Sequence, residues 1–286
     1  MRHGNLADGL TEQAASRPRS VAIALDGGSI DFALLDALVW SCASFLAQAG
    51  LARGRVAAML LADEVTILVA TLACARLGAT CLTLAPDTPA PLLRELLSRT
   101  RTELVFHGPG VDPTGLPCPA ARLDRGAYAA RPAAASRSLH DPDPAAPLLI
   151  VVGSGTTGRA KLFPVTHRQL AHGARFCTGS LSLTPDDRYV SMPHMVYVSP
   201  KERAIATLLA GGTVVLPDRR QADFDAVVAR HRVTVVDATV FHAHRLLARQ
   251  RAHAPAFPGL RVLQLSGSTV DDTLRERIVS ALTPSL

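Results

Sequence analysis

Short apolar runs of strand length alternate with segments of helical periodicity along most of this chain, and that alternation constrains the fold more than any other feature. Leu35, Leu38, Val39, Cys42, Leu46 and Ala49 recur on one face, which predicts a helix from Phe32 to Ala49, stopped by Gly50. Val56 to Leu61 is a continuous apolar strand, and Val65 to Leu77 a helix ended by Gly78. Thr80 to Leu84 reads as a strand, Pro91 to Thr100 as a helix and Leu104 to Phe106 as a strand. Such βαβαβ order predicts an α/β fold with a parallel sheet covered by helices on both faces.

The alternation lapses and then resumes. Residues 108–147 hold eight prolines, many alanines and no periodicity, which predicts a surface connection. Beyond it, strands are expected at Leu148 to Val152, Asp187 to Ser191, Thr213 to Leu216, Val233 to Ala238 and Arg261 to Ser266. Helices are expected from Thr166 as cap to Cys177, and at Lys201 to Leu209, Phe224 to His231, Phe241 to Arg251 and Asp272 to Leu282. The expected organisation is a first α/β lobe over 1–107, a Pro/Ala-rich connection over 108–147, and a second, incomplete α/β lobe over 148–286. Apolar residues make up 48% of the chain and aromatics only 4%, so the core must be mostly Ala, Leu and Val.

Several function classes are disfavoured at this point. The net charge is +6, but the basic residues are scattered singly, without the clustered patch or aromatic interleaving of a nucleic-acid surface. The longest apolar region, Val56 to Ala85, is cut by Asp63, Glu64 and Arg76, so it is no membrane span of about 20 residues. The five cysteines lack metal spacing, and no secretory leader is evident. They read as reduced thiols of a cytoplasmic protein, and no metal site is expected from the side chains.

The segment Leu148 to Lys161 stands out. A buried strand runs into Gly153, Ser154, Gly155, Thr156, Thr157 and Gly158, and then Arg159, Ala160 and Lys161. Glycines let the backbone approach a ligand, successive N–H groups make an anion-binding concavity, and hydroxyls and a lysine add donors suited to phosphate. Of the 30 cationic residues only Lys161 and Lys201 are lysines. The glycines also match the dinucleotide pattern G-x-G-x-x-G, which needs a helix opening on them and an acid about 20 positions on. Pro164 interrupts such a helix, and no acid lies between Lys161 and Asp186. A Walker loop needs lysine directly after glycine, and here Arg159 and Ala160 intervene.

The segment resembles the Ser-Gly-Thr-Thr-Gly-x-Pro-Lys-Gly signature of the adenylate-forming (AMP-binding) superfamily, which includes acyl-CoA synthetases, aryl acid ligases and peptide-synthetase adenylation domains. Ala160 and Leu162 replace the usual Pro and Gly. The resemblance runs nearly the whole chain, through Leu77 to Ala79, Met192 to His194, Leu209 to Val215, Val233 to Val236 and Leu265 to Val270. It implies the fold of that superfamily's N-terminal domain, and ATP-dependent activation of a carboxylic acid as an acyl adenylate. Coenzyme A or a carrier-protein phosphopantetheine thiol would then accept the acyl group.

By the same resemblance, Ser154, Gly155, Thr156, Thr157, Gly158 and Lys161 hold the ATP phosphates, with Lys161 neutralising charge as pyrophosphate departs and Mg2+ as partner ion. Gly267, Ser268 and Thr269 flank the adenine, and His194 with Tyr197 line the acid pocket. Ser191 to Pro200 contains no Asp to hold an α-amino group, which favours an acyl or aryl acid. The chain stops four residues after its last predicted helix, before the family's Tyr-Gly-x-Thr-Glu motif and lysine-bearing lid. A truncated N-terminal domain is therefore expected, served by a carrier protein or a complementary C-terminal subunit. The alternative is a catalytically incomplete homologue that binds nucleotide or acyl groups, or acts as a scaffold.

Overall fold

Helix starts follow the residues that can cap them. In the computed structural model, which describes residues 5–129, 143–153, 159–220, 223–249, 257 and 259–282, Asp31 accepts the Leu34 N–H at 2.7 Å and Asp63 the Thr66 N–H at 3.0 Å. Thr166 and Gln169 form a reciprocal capping box. Among the described residues the order is α1 (Leu6–Ser16), β1 (Val21–Leu25), β2 (Gly28–Asp31), α2 (Phe32–Gln48), β3 (Val56–Leu60), α3 (Glu64–Leu77), β4 (Thr80–Leu84), α4 (Ala90–Arg99) and β5 (Leu104–His107). Next come β6 (Ala120–Arg122), α5 (Arg125–Ala129), β7 (Pro147–Gly153), β8 (Lys161–Thr166), α6 (His167–Ser180), β9 (Arg188–Ser191), α7 (Val198–Leu209) and β10 (Thr213–Val215). The order closes with α8 (Phe224–His231), β11 (Val235–Thr239), α9 (Val240–Arg249), β12 (Val262–Ser266) and α10 (Asp272–Ala281).

The strands form two six-stranded sheets, ordered β6-β5-β3-β4-β7-β8 and β12-β11-β9-β10-β1-β2. Every pairing is parallel except the edge hairpins β1–β2 and β7–β8. The α/β class and flanking helices are as expected, but the sheets do not follow the predicted lobes. β1, from the first lobe, pairs with β10, and β7, from the second, pairs with β4. Within 108–147, β6 extends the first sheet beside β5, and α5 follows it. Strand pairing between segments far apart in sequence leaves no local periodic signal.

One apolar cluster joins strands of both sheets with α1, α2, α3, α6 and α7. These helices form a central layer, in which α3 is buried from Glu64 to Arg76. A second cluster packs α8, α9 and α10 on the other side of the second sheet, and a third packs α4 on the first. Inside the central layer Arg76 meets Asp36 at 2.6 Å, with the guanidinium 4.1 Å from the Trp40 ring centroid. The same nitrogen donates to Thr11 Oγ1 at 2.7 Å and Ala7 O at 3.3 Å, tying α1 to α2 and α3.

The turn after α7 is close-packed. A Cβ at Gly212 would lie 2.8 Å from Asp187 O and 3.0 Å from Thr207 Cγ2. Since the first of these is backbone that cannot swing away, Gly212→Ala is expected to destabilise the protein by about 1–3 kcal/mol, read as a lowered urea midpoint with unchanged slope.

Candidate active site

The hairpin β7–β8 frames the glycine-rich segment. Gly153 and Lys161 are register partners at the end where residues 154–160 connect the two strands. Ser154, Gly155, Thr156, Thr157 and Gly158 lie outside the described residues. Gly153 has a packing reason, because a Cβ there would stand 2.8 Å from Phe163 Cε2 across the hairpin. The segment after Lys161 is an edge strand, which tolerates Pro164 because an edge leaves one row of N–H groups unpaired. Ala160 and Leu162, which differ from the family signature, pack against the apolar cluster of α4. Lys161 itself is exposed, and no carboxylate among the described residues pairs with it. Such an uncommitted cation at the mouth of the connection is the feature that fits a phosphate.

His194 and Tyr197 lie in the segment between β9 and α7, joined by a turn in which the Tyr197 N–H donates to His194 O at 3.1 Å. Tyr197 is the N-cap of α7 and is 61% exposed. His194 borders a cleft of about 1120 Å³ that also meets Glu64, Arg219 and the Asp63–Arg125 ion pair. Its Nδ1 accepts the Val196 N–H at 3.2 Å, which leaves Nε2 as the protonated nitrogen, 3.2 Å from Ala62 O. Burial lowers the imidazole pKa. The Glu64 carboxylate opposes that shift, whereas Arg219 and Lys201 reinforce it.

Gly267, Ser268 and Thr269 follow β12 and are exposed. Gly267 adopts φ 89°, a conformation that favours glycine, and Ser268 Oγ donates to Gly267 O at 2.8 Å. Their loop and the His194 segment both leave the carboxyl ends of strands in one sheet, with β11 between them. Ligands of open parallel sheets bind at such ends. Lys161 belongs to the other sheet, and no hydrogen bond or ion pair among the described residues joins it to either loop.

Sequence reasoning missed a set of buried charges around His194. Glu64 Oε1 accepts the Met195 N–H at 2.8 Å, and Glu64 Oε2 lies 2.8 Å from Arg219 Nε. Asp237, wholly buried, is in register with Ser191 and Gln264 on the neighbouring strands and lies 3.7 Å from Arg203 Nε. Burial raises its pKa, against the pull of Arg203. Lys201, the other lysine, is 3% exposed and donates from α7 to Thr83 Oγ1 on β4 at 2.8 Å. Its rarity was the one available signal.

Burial lowers the Lys201 ammonium pKa to about 8, with Cys81 opposing the shift. Between that value and the unfolded lysine pKa of about 10, the unfolded chain binds the extra proton, so stability rises with pH. The native protein is therefore expected to gain stability relative to Lys201→Met from about pH 8 to about pH 10. Urea midpoints of both proteins across that range check the sign.

No helix among the described residues is long and apolar enough to cross a membrane. The profile of the AMP-binding enzyme family matches residues 10–285. The isonitrile lipopeptide synthase of Streptomyces coeruleorubidus is 29% identical over 278 residues, covering 94% of this chain and 19% of that protein. The salicyl-AMP ligase / salicyl-S-ArCP synthetase of Mycobacterium tuberculosis is 33% identical over 148 residues, covering 50% of this chain and 26% of that protein. Among solved structures, the Klebsiella oxytoca NpsA N-terminal subdomain in complex with 3-hydroxybenzoyl-AMSN superposes with a TM-score of 0.84 at 19% identity, covering 98% of this chain and 70% of that one. The chain spans 3% to 26% of the length of five curated relatives.

Proposed function

The chain belongs to the AMP-binding enzyme family, and from that premise we propose that it activates an acyl or aryl carboxylic acid with ATP. A carboxylate oxygen of the acid attacks the α-phosphorus, the bond to the bridging oxygen breaks, and pyrophosphate leaves with the bonding electrons. The acyl adenylate then passes its acyl group to a coenzyme A or carrier-protein thiol, releasing AMP. The observation that carries this reading is Lys161, an exposed cation with no carboxylate partner among the described residues, opposite Gly153 at the ends of the glycine-rich connection.

Each residue has a role in this reading. Ser154, Gly155, Thr156, Thr157 and Gly158 cradle the β- and γ-phosphates with backbone N–H and hydroxyl donors. Lys161 stabilises the charge that grows on departing pyrophosphate, which makes its contribution electrostatic. Magnesium would be held chiefly by phosphate oxygens and would supply further neutralisation. Gly267, Ser268 and Thr269 flank the adenine, while His194 presents its Nε2–H to the substrate carboxylate with Tyr197 beside it. Sequence similarity to a salicyl-AMP ligase supports an aryl acid within the proposed class. Five free cysteines support a reducing, cytoplasmic setting. A carrier protein is the partner this reading favours, since several of the relatives are peptide synthetases.

Carboxylate-dependent incorporation of labelled pyrophosphate into ATP tests it, using acyl and aryl acids in parallel. Exchange with at least one acid is expected. Nucleotide binding without exchange for any acid would replace this reading with that of a homologue that binds without turnover.

A further inference from the structure

His194 stands on an irregular segment, yet that segment's backbone is held by charges from three separate elements. Arg219 donates to the carbonyls of Met192 at 2.7 Å, Ser191 at 2.9 Å and Pro193 at 3.0 Å. Glu64 takes the Met195 N–H at 2.8 Å, and Lys201 reaches Val196 O at 3.4 Å. Glu64 is the first residue of α3, Lys201 lies on α7, and Arg219 follows β10. A carboxylate that is only 6% exposed is costly unless paired and hydrogen-bonded, and Glu64 is both. Its Oε1 is also 3.8 Å from His194 Nε2.

We propose that Glu64 and Arg219 are positioning residues that lock the segment from Ser191 to Val196, and so hold the His194 imidazole in one orientation and one tautomer at the cleft. The proposal rests on the reading of His194 as the acid-binding residue. Arg219 fixes the carbonyls before the histidine and Glu64 the N–H just after it, so the ring is anchored on both sides. With Nδ1 occupied by the Val196 N–H, the donor offered to a carboxylate is Nε2–H, which exchanges Ala62 O for the substrate oxygen. The charged groups facing the ring are Glu64 from α3, Arg219 from beyond β10 and Lys201 from α7.

The full chain, labelled with nitrogen-15 in its imidazoles, provides the test. The His194 resonance is expected to report the Nε2–H tautomer. Its titration midpoint should move down in Glu64→Gln, which loses the one anion, and up in Arg219→Gln, which loses a cation. Shifts of opposite sign are not produced by general loosening. In pyrophosphate exchange both variants should raise the KM for the acid about tenfold, the effect of losing one charged hydrogen bond, with the KM for ATP unchanged within about twofold. Unchanged tautomer and midpoint in both variants would overturn the proposal, as would equal rises in the two KM values. If Glu64→Gln does not fold, Arg219→Lys decides, since it keeps the charge and loses the forked contacts to the carbonyls: a raised KM for the acid with the KM for ATP unchanged supports the lock, and an unchanged KM for the acid overturns it. An acid KM that is unaffected by His194→Ala sinks the assignment of His194 to the acid, whereas the midpoint shifts still judge the lock.

Discussion

Lys161→Ala is expected to cut carboxylate-dependent pyrophosphate exchange about 100- to 1,000-fold, the usual cost of removing one preorganised donor to developing charge. Nucleotide affinity should fall in parallel, because on the proposed reading the same ammonium also meets the phosphates in the ground state. Stability should stay within about 0.5 kcal/mol, since the side chain is exposed and the backbone pairing of Lys161 with Gly153 needs no lysine. Lys161→Arg is expected to recover only part of the rate. Arginine keeps the charge, but a planar fork replaces a compact ammonium that can follow a moving phosphate. A folded Lys161→Ala protein with unaltered exchange and nucleotide affinity would refute the assignment of the loop.

A second large effect is expected deep in the central layer. Asp36→Ala should cost about 3–5 kcal/mol, because it leaves the Arg76 charge buried without its carboxylate. The double variant Asp36→Leu with Arg76→Met should recover most of that loss, as apolar pairs of similar volume often match a buried ion pair. Urea unfolding of Asp36→Leu, Arg76→Met and the double variant forms the cycle. Near-equal stability of Asp36→Ala and the native protein would show that the pair contributes nothing.

The two effects differ in how readily the sequence discloses them. Lys161 was visible because a lysine after a run of glycine and hydroxyl residues is a local pattern. The cap at Thr166 and the stop at Gly78 were likewise local, so most helix ends fell where expected. β8 escaped notice, because an edge strand with a proline and exposed side chains lacks the apolar run of a central strand. β6 and α5 are too short to establish a period. The charges around His194 were invisible for a different reason. Glu64 and Arg219 are far apart in sequence, and each reads alone as an ordinary surface residue. The site was thus legible where one segment carries it, and opaque where two sheets meet.

The exchange of edge hairpins between the sheets has a consequence for how the protein is made. Ile23 pairs with Val214, so β1 waits for a strand that leaves the ribosome much later. Closing so long a loop before any reward is a slow, high-contact-order step. A chain divided between α5 and β7 would yield an N-terminal piece whose β1–β2 hairpin lacks β10, and a C-terminal piece whose β7–β8 hairpin lacks β4. Neither piece should mature by itself. Mixed during refolding, the two should rescue each other, which makes this division a natural design for a complementation reporter.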